Sequence, residues 1–512
     1  MLNVARRCFA CAAMMTLLVV GTEGTVWAVG QNAATRTSQS NTTKKSTKRT
    51  KKKRTRVVVP LTVMISPKNV VQPPTTSVLP AVPSVVELAV PAAPSIGRQT
   101  LSASRSSTGV RILPTGRPGG EATVATAGQL LISEFRVRGP SGAQDEFIEI
   151  YNASGADHTV SALSGSGYGI AASDGVTRCS IPNGTVIPNR GHYLCVNSGA
   201  YSLGSYPAGN GTTATGDATY TTDIPDNAGI ALFNNNTGGG SYILANRLDA
   251  VGSTTEANTL YKEGTGYPAL TPFSIDYSFY RDTCGKGGSI TTLGTCPTAG
   301  LPKDTDNNAA DFVFVDTNGT SAGAGQRLGA PGPENLSSPI QRNSSFAANL
   351  LDATVASSNP PNRVRDFTSV PASNSTFGTL SIRRRWVNQT GGNVTRLRFR
   401  IIDQTTFPAP SGFADLRART SGAVVVAGIN DSATCAATGA PATPPCTTTV
   451  QGTTLEQPPT QPNGSAFNGS LSAGTVTLGT PLGNGASLNL QFLLGIQQTG
   501  TFKFFINVEA LP

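Results

Sequence analysis

The sequence predicts an all-β protein, two β-sandwiches in tandem behind a long N-terminal region that builds no core. Three observations carry this. Apolar and polar residues alternate with period two in many short stretches, the pattern of half-buried strands. Clusters of Gly, Asn, Asp and Ser separate those stretches at sandwich-like intervals, as expected of 512 residues that include 56 glycines. Few segments hold a helical period.

Residues 1–28 read as a secretory signal. Arg6 and Arg7 supply a positive start, an apolar stretch runs from Cys8 to Val20, and Val26-Trp27-Ala28 suits cleavage after Ala28. The stretch is too short to cross a bilayer as a helix, and no other segment is apolar enough for one. The Arg6-Arg7 pair also admits twin-arginine export.

Charge is unevenly placed. The chain carries a formal +10, and the positive excess sits in Lys44, Lys45, Lys48, Arg49, Lys51, Lys52, Lys53, Arg54 and Arg56. Residues 57–512 are left nearly neutral, so charge gives no reason for the folded part to bind nucleic acid. Residues 29–127 read as a disordered spacer. A polar stretch precedes the basic run, and a Pro/Val/Ala/Ser stretch follows it that cannot offset its ordering entropy by burial.

Residues 128–336 form the first expected sandwich. Leu130-Leu131-Ile132-Ser133-Glu134-Phe135 and Asp145-Glu146-Phe147-Ile148-Glu149-Ile150 alternate across a Gly139-Pro140-Ser141-Gly142 turn, which predicts a hairpin. Further strands are expected over 168–172, 192–196, 229–233, 242–249, 276–281 and 311–315. Residues 337–376, rich in Ser, Asn and Pro, read as a linker. Residues 377–512 form the second expected sandwich. Leu380 and Ile382, then Leu397, Phe399 and Ile401, suggest one hairpin. Leu488 to Ile496 and Phe502 to Val508 suggest another, joined at Gln497-Gln498-Thr499-Gly500.

Of the eight cysteines, six lie beyond the signal, as three neighbouring couples: Cys179 with Cys195, Cys284 with Cys296, and Cys435 with Cys446. An even count in an exported chain favours disulfides, here paired by proximity. Zinc is the weaker reading, because no couple has zinc-site spacing and the chain has two histidines.

The first unit resembles the lamin-tail domain in its bacterial exported form. The resemblance rests on the opening hairpin, on Gly229-Ile230-Ala231-Leu232-Phe233 before Leu248-Asp249-Ala250-Val251-Gly252, and on Ser278-Phe279-Tyr280-Arg281. It extends to Asp304-Thr305-Asp306-Asn307-Asn308-Ala309-Ala310-Asp311-Phe312 and Gly329-Ala330-Pro331-Gly332. Gly167-Tyr168 stands where the family has Gly-Trp. The second unit is similar, less specifically, to immunoglobulin-like domains of bacterial surface proteins. The resemblance implies an immunoglobulin-like sandwich used for binding at a surface; it does not imply a ligand.

Candidate chemistry is sparse. Gly319-Thr320-Ser321-Ala322-Gly323 matches a nucleophile elbow, but that motif needs a strand before it and a helix after it, and the only bases of the usual kind are His158 and His192. A Gly- and Ser-rich chain also produces the match by chance. Asp304, Asp306, Asn308 and Asp311 offer oxygens at alternate spacing for a possible calcium ion; the competing reading is a turn in which these side chains bond the local backbone. Glu134 and Glu149 could act as a glycosidase pair or stand on a solvent face. Arg383, Arg385, Arg396, Arg398 and Arg400 are expected on one face of a hairpin, able to bind phosphate, sulfate or uronate, or simply solvated.

These readings converge on an exported, non-catalytic scaffold or adhesion protein of the cell surface, extracellular space or periplasm. The basic run would bind an anionic envelope polymer or lipid surface, unless it only solubilises, and the sandwiches would present a carbohydrate or protein partner with loops or edges. No cofactor beyond possible calcium is expected. The alternatives are an accessory protein for extracellular nucleic acid and a secreted hydrolase.

Overall fold

Strand makes up 39% of the chain and helix 8%, in a computed structural model that describes residues 124–512 apart from 210–211, 272–273, 290–291, 297–299 and 438–442. Two short paired strands, Leu18–Val20 and Val26–Ala28, are also described. The rest of the expected signal, the basic run 44–56 and the spacer up to residue 123 lie outside the described residues. Both sandwiches belong to one compact unit.

The first sandwich sets a six-stranded sheet against a four-stranded one. The six-stranded order is Ala218–Tyr220, His192–Asn197, Phe147–Asn152, Leu130–Arg136, Tyr277–Arg281, Phe312–Asp316; the four-stranded order is Arg247–Val251, Ile230–Phe233, Gly167–Ala172, Thr177–Pro182. The expected opening hairpin forms, with Leu131 opposite Tyr151 and Phe135 opposite Ile148. Leu130, Ile132, Phe135, Ile148 and Ile150 face the inter-sheet core, where they meet Ile170, Ile230, Leu232 and Tyr168. A bulge between Ile132 and Glu134 shifts the alternation by one residue, which keeps Phe135 inside.

Each expected cysteine couple lies at disulfide distance. Cys179–Cys195 joins the two sheets of the first sandwich. Cys435–Cys446 closes the loop that joins the paired strands Val424–Ile429 and Cys446–Val450.

The second sandwich sets Ile340–Gln341, Phe504–Leu511, Arg396–Gln404, Ser470–Ser472 and Thr454–Leu455 against Phe346–Leu350, Thr379–Asn388, Ser487–Gln498 and Asp415–Arg419. Trp386 lies at its centre, fully buried and packed on Phe399 and Phe492.

Two expectations fail here. Residues 337–376 are not a linker: Ile340–Gln341, Phe346–Leu350 and Arg363–Asp366 pair with strands of the second sandwich. These are short edge strands, and backbone pairing rather than apolar content holds them. The two expected hairpins of this unit are instead arches. Thr379–Asn388 and Ser487–Gln498 share one sheet, whereas Arg396–Gln404 and Phe504–Leu511 share the other. Alternation makes each strand one-sided, and the apolar faces meet across the core instead of lying side by side.

Burial differs from expectation in a way that bears on function. Leu130–Arg136 and Phe147–Asn152 are buried on both faces, not one. Their second face is covered in part by the 201–214 segment, which packs on Phe147, and in part, around Glu134 and Glu149, by the second sandwich's five-stranded sheet. Apolar contacts frame that junction: Tyr280, Val313, Val315 and Leu328 meet Ala466 and Phe467, and the Arg327 guanidinium lies 4.3 Å above the Phe467 ring.

Candidate functional site

At the centre of the junction, polar residues from both sandwiches surround a cavity of about 70 Å³. From the first sandwich come Ser133, Glu134, Glu149, Tyr151 and His192; from the second come Arg400, Asn468, Asn507 and Glu509; Glu334 comes from the connecting segment. The period-two rule explains the assembly. Glu149 and Tyr151 alternate with core-facing Ile148 and Ile150, as Arg398 and Arg400 alternate with core-facing Leu397, Phe399 and Ile401.

The connecting segment is held by the two glutamates. Glu134 and Glu149 stand opposite each other across adjacent strands. Glu134 Oε1 accepts the Gly332 amide at 2.9 Å, and Glu149 Oε2 accepts the Glu334 amide at 2.6 Å. Ser133 Oγ donates to Glu149 Oε1 at 2.5 Å. Gly332 passes so close to the second sandwich that a Cβ there would stand 2.2 Å from Arg400 Nη1 and 2.9 Å from the Asn468 carbonyl oxygen; only glycine fits.

Arg398 and Arg400 then bind the remaining carboxylates. Arg400 Nε donates to Glu509 Oε1 at 2.9 Å, and its Nη2 lies 3.1 Å from Glu334 Oε2. Arg398 pairs with both Glu334 and Glu509. Arg400 Nη1 also donates to Asn468 Oδ1 at 2.8 Å. His192 Nε2 stands 3.4 Å from Glu334 Oε2 and 3.8 Å from Glu149 Oε1. The Nδ1 of His192 and the hydroxyl of Tyr151 are buried without a hydrogen-bond partner, and both residues line the cavity.

Burial dominates the electrostatics. It raises the Glu134 carboxyl above its ordinary value, against the Ser278 hydrogen bond and the Arg400 charge. It raises Glu149 further, helped by the neighbouring Glu134 carboxylate. Burial, then the Arg400 and Arg398 charges, hold the His192 imidazole well below its ordinary value. The signs oppose. A carboxyl raised in the folded state contributes stability below its unfolded value of 4.5 and loses it as pH climbs through the folded value. A depressed imidazole loses stability on acidification below 6.5. Above pH 6.5 the imidazole is neutral in both states and adds no slope. In the presence of chelator, the carboxyls should therefore make the melting temperature fall as pH rises through their raised folded values, and Glu134→Gln should flatten that fall. Calorimetry checks it; equal slopes in the two proteins would refute the assignment.

Other candidates from the sequence are dispersed. The five arginines do not share a face. Arg383 and Arg385 lie half-buried on Thr379–Asn388, in the sheet opposite Arg396–Gln404, and bond Gln491 and Thr434. Arg396 bonds the Ser337 carbonyl. Arg398 and Arg400 are buried at the junction, so they do not form a solvated anion-binding surface.

The calcium set also separates. Asp311 accepts from the Thr305 amide and hydroxyl and from the Asn307 amide. Asn308 accepts from the Gly252 and Glu263 amides and donates to the Ala250 carbonyl. Asp311 thus bonds the local backbone, as the turn reading expects, whereas Asn308 fixes the loop to the end of the Arg247–Val251 strand. Asp306 has a left-handed backbone (φ 53°), and Asp304 approaches Arg281, Asp249 and Glu263 instead.

Ser321 is exposed in a loop with no helix behind it, and neither histidine bonds it. His158 bonds the Tyr168 hydroxyl at 3.1 Å. Sequence reasoning missed Glu334 and Glu509. Glu334 follows the Gly329-Ala330-Pro331-Gly332 motif, and Glu509 alternates with core-facing Val508 and Ala510, so only the second had a periodic signal.

No family model matches the chain, and no curated protein or solved structure matches it.

Proposed function

We propose that the chain is an exported, non-catalytic scaffold or adhesion protein: a lamin-tail sandwich fused to a second sandwich and tethered to the anionic envelope by its basic run. One observation carries the non-catalytic reading. Glu134 and Glu149, the carboxylates best suited to acid–base work, accept the backbone amides that join the sandwiches. A side chain that holds the fold in this way is poorly placed to shuttle protons on a substrate.

The fused pair would act as a platform. Its 367–377 loop exposes Phe367 (67%), Val370 (42%) and Phe377 (49%), an apolar tip fit to meet a carbohydrate or protein partner. The three cystine links and the absence, among the described residues, of a helix able to cross a membrane are compatible with export.

The test is binding of the purified chain to envelope fractions across a salt series. Three forms are compared: the intact chain, one lacking residues 44–56, and a Phe367→Ser/Phe377→Ser variant. Salt-sensitive binding should vanish with the deletion, and salt-resistant binding should weaken in the loop variant. Hydrolysis of polysaccharide or ester substrates that depends on His158, His192 or Ser321 would overturn the proposal. Salt-sensitive binding to duplex DNA, with none to envelope, would favour the nucleic-acid alternative.

A further inference from the structure

The junction carries a second feature that its joining role does not require. Glu149, His192 and Glu334 each bring a ligand atom to within 4.8 Å of one another, and all three are buried. Four carboxylates meet there, those of Glu134, Glu149, Glu334 and Glu509, and two guanidiniums answer them, Arg398 and Arg400. Arg281 also lines the cavity but is matched by its own partner, Asp249. Glu456 adds further negative charge beside Arg398. The cavity wall therefore holds an excess of two negative charges even with Glu456 left out. Buried charge of that kind must be neutralised, by protons or by a cation.

The histidine points to the cation. His192 is 8% exposed, and its Nδ1 has no hydrogen-bond partner. Its Nε2 faces two carboxylate oxygens at 3.4 and 3.8 Å, beyond the roughly 2.7–3.2 Å of a good N–H···O bond. Ligands about 2.1 Å from a tetrahedral zinc ion lie about 3.4 Å from each other, the edge of the tetrahedron. The two distances from His192 Nε2, 3.4 and 3.8 Å, are close to that edge, and the two carboxylate oxygens lie within 4.8 Å of each other. A neutral imidazole with two carboxylates suits borderline divalent metals, and the neighbours would steady the ligands: Ser133 donates to Glu149, and the Arg400 guanidinium forms an ion pair with Glu334.

We propose that Glu149, His192 and Glu334 bind one divalent transition cation of the zinc class in the cavity between the sandwiches, with water as the remaining ligand. The cation cancels the two excess charges and ties the first sandwich to the connecting segment. The adhesion reading does not depend on this site, nor the site on that reading.

The test uses the full chain, stripped with chelator and then dialysed separately against Zn²⁺, Co²⁺ and Ca²⁺. One zinc or cobalt ion per chain is expected. The cobalt form should show the visible bands of a four-coordinate nitrogen–oxygen site and a single imidazole ligand by X-ray absorption. His192→Gln should weaken zinc binding at least ~10-fold, while His158→Gln, which removes the only other histidine, should leave it unchanged. The proposal is overturned if neither metal is retained, if calcium alone binds, or if His192→Gln keeps the intact affinity. Should His192→Gln fail to fold, the intact cobalt form decides: six oxygen ligands without imidazole overturn the assignment.

Discussion

Arg398→Ala is expected to destabilise the chain by about 3–5 kcal/mol, the usual cost of removing one partner from a buried ion pair. The Arg398 side chain is fully buried between Glu334 and Glu509. Its loss leaves two carboxylates in a closed junction with Arg400 as their nearest cation. The cavity admits a few waters, too few to restore the solvation those oxygens lose. Because the pair spans the junction, the defect should also loosen the coupling between sandwiches. Tryptophan fluorescence can follow this, since the chain has two tryptophans and Trp386 sits at the centre of the second core. In urea, Arg398→Ala should move the Trp386 transition to lower denaturant and separate it from the unfolding of the first sandwich. Arg383→Ala is the contrast. That side chain is half-buried and makes one long bond to Gln491, 3.3 Å, so a loss within about 1 kcal/mol is expected. Equal losses in the two variants would mean that Arg398 is solvated, as its sequence pattern alone suggests.

That contrast shows what period-two patterning can reveal. Alternation placed Ile148 and Ile150, and later Leu397, Phe399 and Ile401, on their core faces, because a strand's side chains point to opposite sides by geometry. It could not say what covers the other side. Glu149, Arg398 and Arg400 look like solvent-facing residues until two sandwiches stack on those faces, and stacking depends on residues far apart in the chain. Glu149, His192 and Glu334 lie on two strands and a connecting segment, with no local spacing to announce them. The edge strands between 340 and 366 were hidden for a related reason. Paired backbone needs little apolar sequence, so a Ser- and Asn-rich stretch can enter a sheet. The cysteines were legible because short couples leave few geometric choices.

A comparable loss is expected from Arg281→Ala, but inside the first sandwich. The Arg281 guanidinium is fully buried and donates to both Asp249 oxygens, at 2.6 and 2.5 Å. Its Nε donates to the Ile132 carbonyl at 2.8 Å, and its Nη1 to the Lys303 carbonyl at 3.0 Å. The Phe312 ring lies 4.8 Å from its centre. One side chain thus links a strand of the four-stranded sheet, two neighbours in the six-stranded sheet and the loop ahead of the Asn308–Asp311 turn. Truncation strands the Asp249 carboxylate, which would keep the Ile132 and Ala250 amides but no cation, at a cost of about 3–5 kcal/mol. Arg281→Lys should recover little, because a single ammonium cannot reproduce a fork that reaches a carboxylate and two carbonyls in one plane. A double-mutant cycle with Asp249→Ala should give a coupling energy within about 0.5–3 kcal/mol; a value near zero would mean the pair does not form. The Trp386 signal separates this defect from the junction's: Arg281→Ala should unfold the first sandwich early and leave the second core's own transition in place, whereas Arg398→Ala shifts that transition itself.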